Sequence, residues 1–412
     1  MTGQALNEVG EWRRGWRVAG AAFVGMGVGA GLFQYVSSLF ITPLEDAFGW
    51  SRGEIAGAAA IGLFGALSAP IIGMIADRVG AMRVAIVCLL LVALAYVGLA
   101  SMTGELWQFM ACVTLLALAA PGSASLVFSR AVNGWFDQSR GLALGVMASG
   151  LSVATFALSP VLSDIIADHG FRAGYLTLAA ITGIIGVIVV LAGIRSGPIG
   201  SRASVDSDAP PEGVTLRGAA RMPSFWTLAL IMLIVNAAST GVLTQIAPLL
   251  ASKGLTGEPV AMLVSIYALS VFAGRLSIGW LFDRTEAKWI AALVTAAAMA
   301  GFLLLLNAAP TLVFAAACVV LIGLMQGAEG DVLAYFVSRL FGLRAYNTIY
   351  GVFFTISIMG SALGIFGYGR LYDLTQNYNQ ALMLSGGALA AAVALYICMP
   401  RVRPAEEAQI SA

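Results

Sequence analysis

Gly73-Met74-Ile75-Ala76-Asp77-Arg78 and Gly279-Trp280-Leu281-Phe282-Asp283-Arg284 are two copies of Gly-x-x-x-Asp-Arg, 206 residues apart in a chain of 412. Half the length separates them, and each stands where a long apolar stretch ends. Further landmarks repeat at nearly the same offset. Ile41-Thr-Pro43-Leu44 and Ile246-Ala-Pro248-Leu249 are 205 apart, and Ser129-Arg130 and Ser338-Arg339 are 209 apart. Three landmarks at nearly one offset imply a duplicated unit, each copy about half the chain.

Composition says in which solvent that unit folds. Hydrophobic residues make up 59% of the chain and charged residues 10%, with a mean hydropathy of +0.90. Soluble domains carry roughly 25% charged residues, so the chain reads as a bundle of membrane helices, each needing about 20 apolar residues. The 48 glycines suit closely packed membrane helices. A net charge of +1 gives no sign of nucleic-acid binding. Cys88, Cys112, Cys318 and Cys398 lie in apolar segments without Cys-x-x-Cys spacing, and the single histidine is His169, so neither a metal nor a cofactor is expected. Arg13, Arg14 and Arg17 precede an apolar run from Val18 to Phe40. That run is too long for a signal peptide and reads as an uncleaved first helix.

Twelve spans are predicted, at 18–40, 55–76, 84–102, 106–129, 141–163, 173–194, 225–251, 259–282, 289–307, 310–336, 347–369 and 379–399. The polar stretch 196–223, with Gly197-Pro198, Asp206, Asp208 and Pro210-Pro211, is a linker dividing six spans from six. The predicted organisation is therefore an all-α membrane protein: an N-terminal six-helix bundle over 1–195, a cytoplasmic linker, and a C-terminal bundle over 224–412. With both termini cytoplasmic, 17 of the 22 Lys/Arg residues fall in cytoplasmic segments. This is the positive-inside bias that sets orientation.

The segment Gly73-Met-Ile-Ala-Asp77-Arg78-Val-Gly80-Ala-Met-Arg83 resembles the loop motif between helices two and three of the major facilitator superfamily. Its physical content is a glycine turn, an acid able to cap or pair with a neighbouring helix end, and basic residues held at the cytoplasmic face. Within that superfamily, Trp135-Phe136-Asp-Gln-Ser-Arg140-Gly141-Leu142-Ala143-Leu144-Gly145 is similar to the signature entering helix five of the monocarboxylate-transporter and oxalate/formate-antiporter branch. Phe48-Gly49-Trp50-Ser51-Arg52 and Phe341-Gly342-Leu343-Arg344-Ala345-Tyr346 also look like bacterial members. The resemblance covers essentially the whole chain and implies two pseudo-symmetric bundles around a central site, working by alternating access. It implies small organic acids as substrates, and it makes Arg275 similar to the branch's helix-eight arginine, which binds the substrate carboxylate. Where monocarboxylate transporters carry an acid one turn before that arginine, this chain has Val271. The two lysines, Lys253 and Lys288, stand outside the spans.

Only three charged residues fall inside the twelve spans: Arg275, Glu329 and Asp331. An ionisable group at the bilayer centre costs at least ~2.5–3.5 kcal/mol, so such residues face a partner or a cavity. At ~1.5 Å per residue, Arg275 lies about 12 Å before Asp283, Asp331 about 12 Å before Arg339, and Glu329 about 15 Å before it. All three thus sit at similar depth. Glu329 and Asp331 are about 200° apart on one helix, so one ligand cannot meet both. Arg275 offers a planar fork that suits a carboxylate and keeps its charge. Glu329 or Asp331 is the candidate to carry a proton. The alternative is a permanent ion pair that locks helix eight to helix ten.

Neutral candidates for substrate contact are Gln34, Tyr35, Asn236, Tyr267 and Tyr350; Ser123, Ser125, Gln245 and Gln326 belong to a wider polar set. Each of these side chains can equally serve helix-to-helix hydrogen bonding. Pro121-Gly122 is expected to loosen span four. Gly73, Asp77, Arg78, Gly80, Arg130, Arg140, Gly279, Asp283, Arg284 and Arg339 are read as loop-motif and gating residues, with Arg130, Arg339, Asp77 and Asp283 forming ion pairs that close the inner gate. The expectation is a monomeric carrier of a small organic anion in a bacterial-type inner membrane, moving its substrate with a proton or against a counter-anion. Efflux of a neutral or cationic drug or metabolite is the rival reading. No nucleophile–base constellation suggests an enzyme.

Overall fold

The computed structural model describes residues 3–50, 65–194, 213–255, 258–306 and 311–400. Among them the chain is helical throughout. The helices are α1 Gly3–Gly27, α2 Gly31–Val36, α3 Ile41–Phe48, α4 Ala69–Val79, α5 Ala81–Ala100, α6 Leu106–Ala119, α7 Ser125–Asn133, α8 Arg140–Ala180, α9 Val187–Gly193, α10 Leu216–Ala219, α11 Pro223–Ser252, α12 Glu258–Phe282, α13 Ala287–Leu304, α14 Leu312–Leu340, α15 Tyr346–Thr375 and α16 Asn379–Cys398. Nine helices among the described residues are long and apolar enough to cross a membrane. One of these, Arg140–Gly193, runs for 54 residues and encloses two predicted spans. It bends at Gly170, whose φ of 79° is open to glycine at little cost. His169, just before the bend, is exposed. Residues 55–64 of the predicted second span, and the linker from 196 to 212, lie outside the described residues.

The chain forms two compact units. One comprises 1–216 together with 341–355, and the other 217–340 together with 356–412. The first ten residues of α15 therefore belong to the first unit. The peptide leading into α15 is joined to the segment before α10, where the Val214 N–H donates to the Phe341 carbonyl at 2.9 Å.

Within the first unit, the predicted first span is broken. The run Gly25-Met-Gly27-Val-Gly29-Ala-Gly31 leaves the α-helix at Val28–Ala30 and resumes as α2. In hydrocarbon, backbone groups freed by such a break need partners from neighbouring helices. The Ser123 hydroxyl accepts the Ala30 N–H at 3.1 Å, and the Thr182 hydroxyl donates to the Val28 carbonyl at 2.8 Å. Ser123 itself closes the 3₁₀ turn Ala120–Ser123, where Pro121-Gly122 interrupts span four between α6 and α7. Gly80 ends α4 with φ 98°, and its N–H returns to the Ala76 carbonyl. The loop motif's glycine turn is thus a helix stop that only glycine adopts easily.

In the second unit, α12 and α14 pack closely along small residues. A Cβ on Gly323 would meet the Tyr267 carbonyl, one on Gly327 the Val271 carbonyl, and one on Gly274 the Leu324 carbonyl. Association without a hydrophobic driving force depends on such close backbone approach.

Candidate functional site

The second unit gathers most of the polar side chains that the sequence places inside spans. Arg275 is half-buried on α12 and acts electrostatically on both Glu329 and Asp331 of α14. The Glu329 carboxyl has Asn236 of α11 within hydrogen-bonding reach and accepts from Gln326 Nε2 at 3.5 Å. The Tyr267 hydroxyl donates to Gln326 Oε1 at 3.4 Å, and Asn236 Nδ2 donates to the Met232 carbonyl at 2.8 Å. Three helices, α11, α12 and α14, thus supply one connected polar group in an apolar bundle. Asn236, Tyr267 and Asp331 are buried. Asp331 Oδ2 has no hydrogen-bond partner among the described residues.

The helical repeat explains how the two acids divide. Gly323, Gly327, Asp331 and Tyr335 recur every four residues and make one stripe of α14. The glycines of that stripe lie on α12, and the Tyr335 hydroxyl donates to the Phe282 carbonyl at 3.2 Å. Asp331 therefore sits in the seam with α12. Glu329, about 200° round the helix, turns toward Asn236 and toward Tyr396 of α16, on which it acts electrostatically. The sequence reading did not single out Tyr396. Its signal was a lone tyrosine near the end of an otherwise apolar span.

The remaining candidates belong elsewhere. Gln34 and Tyr35, both exposed, stand on α2 just after the break in the first span. Tyr350 is buried on α15, its ring 5.8 Å from that of Tyr346. All three are in the first unit. Arg140 is buried and holds the loop before α8: Nε donates to the Phe136 carbonyl at 3.1 Å, and Nη2 pairs with Asp137 at 3.1 Å. Glu11, which sequence reasoning passed over, accepts the N–H groups of Asp137, Gln138 and Ser139 at 3.1–3.2 Å.

Asp77 does not rely on an arginine alone. Its Oδ1 accepts from the Asn347 N–H at 3.1 Å and from Asn347 Nδ2 at 2.9 Å. Its Oδ2 accepts from the Thr348 N–H at 2.8 Å and from Thr348 Oγ1 at 2.6 Å. The carboxylate caps the first turn of α15, where N–H groups lack intrahelical partners. Arg130 acts on Asp77 through space. Gly73 makes the approach possible, because a Cβ there would strike the Asn347 carbonyl. The Tyr346 hydroxyl donates to Ser129 Oγ at 2.9 Å in the same region. Of the other loop-motif residues, Arg78 is exposed, Gly279 and Asp283 are buried, Arg284 lies 4.1 Å over the Trp280 ring, and Arg339 lies 5.5 Å from the Tyr335 ring.

A multi-pass helical membrane protein with its ionisable residues gathered in one intramembrane cluster is the architecture of a carrier. The family profile described as the Major Facilitator Superfamily matches residues 20–365, and the chain belongs to that family. It has the major facilitator fold and is a transporter, not an enzyme. Monocarboxylate transporter 11 of Homo sapiens is 26% identical over 420 residues, covering 96% of this chain and 84% of that protein. Monocarboxylate transporter 13 of Rattus norvegicus is 26% identical over 273 residues, 65% of this chain and 61% of that protein. Among solved structures, the proton:xylose symporter XylE aligns with a TM-score of 0.74 at 12% identity, covering 94% of this chain and 96% of that one. The human organic anion transporter MFSD10 aligns with a TM-score of 0.71 at 15% identity, covering 92% and 97%.

Proposed function

We propose that this carrier moves small organic anions, mono- or dicarboxylates, across a bacterial-type inner membrane by alternating access, in symport with a proton or in exchange for another anion. Both termini face the cytoplasm, 1–195 and 224–412 are the two bundles joined by the 196–223 linker, and the working form is a monomer. The observation that carries the reading is Arg275 within the Asn236–Tyr267–Gln326–Glu329–Asp331 cluster. A guanidinium keeps its charge and presents paired donors to a carboxylate. Asn236 and Tyr267 supply neutral polar groups beside it. On sequence grounds Gln34, Tyr35 and Tyr350 are proposed to contribute as well. The monocarboxylate-transporter names of the relatives point to the same substrate class.

The test is transport by the purified protein in liposomes. Labelled acetate, lactate, oxalate and succinate are offered with and without an inward proton gradient, and wild type is compared with Arg275→Ala. Uptake or exchange of a carboxylate by wild type, lost in the variant, is the expected result. If none of the four moves while a cationic or neutral drug does, the anion reading is wrong. Glu329 and Asp331 would then be the residues to test for drug binding.

A further inference from the structure

The part of α1 that precedes its apolar run divides cleanly by the helical repeat. At about 100° per residue, Glu11, Trp12, Gly15, Val18 and Ala19 fall on one side of the helix, and Gly10, Arg13, Arg14, Trp16, Arg17 and Gly20 on the other. The first side is seated on the loop before α8. Glu11 accepts the N–H groups of Asp137, Gln138 and Ser139, the Trp12 ring lies 4.9 Å from that of Phe136, and a Cβ on Gly15 would strike the Phe136 ring. Val18 and Ala19 are buried. The second side is thereby turned outward. Arg13, Arg14, Trp16, Arg17 and Gly20 are all exposed, and a Cβ on Gly10 or Gly20 would meet nothing within 4 Å.

We propose that this outward face of α1 is a docking site for an anionic phospholipid, its phosphate held by Arg13, Arg14 and Arg17 in the leaflet where α1 enters the membrane. Arg17 is three residues from Arg14 and four from Arg13, so all three guanidiniums reach one helix-surface position. Guanidinium binds phosphate through paired donors and keeps its charge. Trp16, whose ring centroid is 5.6 Å from the Arg17 guanidinium carbon, stands where indole is favoured, at headgroup level. Gly20 lies about 4.5 Å farther along the axis than Arg17, among the first residues of the apolar run. Its open face leaves a notch in which the start of an acyl chain can lie against the helix backbone.

Charge and position together select a lipid over a soluble acidic partner. The acid of this segment, Glu11, faces inward and is held by three amides, so the outward face from Gly10 to Gly20 carries three positive charges and no negative one. A soluble polyanion could meet Arg13 and Arg14, but the Trp16–Gly20 end of the face continues into hydrocarbon. An anionic head joined to an apolar tail satisfies both ends. The seat on the loop before α8 also fixes the three arginines in one arrangement, which distinguishes a site from a diffuse basic surface. The site is independent of the solute that the carrier moves.

The experiment titrates the purified full-length protein in detergent with dioleoyl phosphatidylglycerol or dioleoyl phosphatidylcholine and measures bound lipid by native mass spectrometry. A basic residue at an anionic headgroup strengthens binding roughly fivefold, so R13Q, R14Q and R17Q should each weaken phosphatidylglycerol binding by about that factor. Wild type should prefer phosphatidylglycerol, and R13Q/R14Q/R17Q should bind the two lipids alike. R83Q/R217Q/R221Q removes three other exposed arginines and should keep the wild-type preference. Equal affinity of wild type for the two lipids would overturn the proposal. So would equal losses in the two triple variants, which is the signature of net charge rather than of a site. Glycerol phosphate or hexaglutamate binding to wild type as tightly as phosphatidylglycerol would assign the face to a free phosphate or to an acidic peptide, and overturn the lipid. If R13Q/R14Q/R17Q does not purify as a folded protein, the single variants decide: weakened binding in each supports the site, and wild-type binding in all three overturns it.

Discussion

Replacing Asp77 by alanine removes four hydrogen bonds from the start of α15, two of them from the backbone N–H groups of Asn347 and Thr348. The side-chain donors can turn toward other acceptors, so the two amides decide the cost. A hydrogen bond to a charged group contributes about 1.5–3 kcal/mol when well buried. A negative charge at a helix N-terminus adds about 0.3–1 kcal/mol. Asp77 is only half-buried, and water recovers part of both. A net cost of about 2 kcal/mol for local opening follows, which corresponds to about a thirtyfold rise in the open population. Asp77→Asn keeps one oxygen for Asn347 but turns a nitrogen toward the Thr348 amide, and is expected to cost about 1 kcal/mol, or roughly fivefold. The assay is hydrogen–deuterium exchange by mass spectrometry on purified protein. The peptide covering 341–355 should exchange faster in the order wild type, Asn, Ala, while α16 in the second unit stays at the wild-type rate. Unchanged exchange at 341–355 in the alanine variant would refute the capping argument.

Two further outcomes are expected. Glu11→Ala strips the acceptor from three consecutive amides at the entry to α8, where Trp12 also lies 4.9 Å from Phe136, and should loosen that loop by about 1–2 kcal/mol; faster exchange or proteolysis confined to 134–142 is the readout, and wild-type behaviour there would contradict it. Lys253, beyond the last turn of α11, donates to Asn379 Oδ1 at 2.7 Å and to the Leu306 carbonyl at 3.4 Å, and burial lowers its pKa below the ordinary lysine value. The folded state therefore holds this proton less well than the unfolded chain, so the penalty is full below the folded pKa and fades as pH rises toward the unfolded value of ~10.4. Lys253→Met should flatten that alkaline gain in the thermal midpoint, and an identical pH slope in both proteins would rule the linkage out.

What the sequence discloses and what it hides divide along physical lines. Long apolar runs are local, and helices such as α11, α12 and α16 begin and end within a few residues of where hydropathy puts them. Arg275, Glu329 and Asp331 are conspicuous because intramembrane charge is costly. Partnership at long range is a different matter. A carboxylate is satisfied as well by two backbone amides as by a guanidinium, so nothing near Asp77 announces that its donors lie 270 residues away. The break in the first span had a local signal in the alternating glycines from Gly25 to Gly31. Its rescue by Ser123 and Thr182, 93 and 154 residues distant, did not. Which acid meets α12 was written in the four-residue spacing of Gly323, Gly327 and Asp331, but reading it requires knowing that α12 and α14 are neighbours.

The duplicated landmarks also show how unevenly the two halves are equipped. At the offset of the Gly-x-x-x-Asp-Arg copies, Arg275 corresponds to Ala69; at that of the Ser-Arg copies, Glu329 and Asp331 correspond to Ala120 and Gly122. Two of those positions, Ala69 and Gly122, serve packing in the first unit. The Ala69 carbonyl lies against Gly351, and Gly122 meets the Cys88 side chain where span four turns through Pro121. Side chains with charge could not occupy them without separating the helices. Duplication therefore preserved the frame and the loop motif while ionisable chemistry remained in, or was added to, one copy alone. A carrier so built has a single fixed positive charge within its spans. Under the proposed function it binds one carboxylate per cycle, at one site rather than at a symmetric pair of sites. Saturation of uptake with one apparent site, even for a dicarboxylate, is what that asymmetry requires.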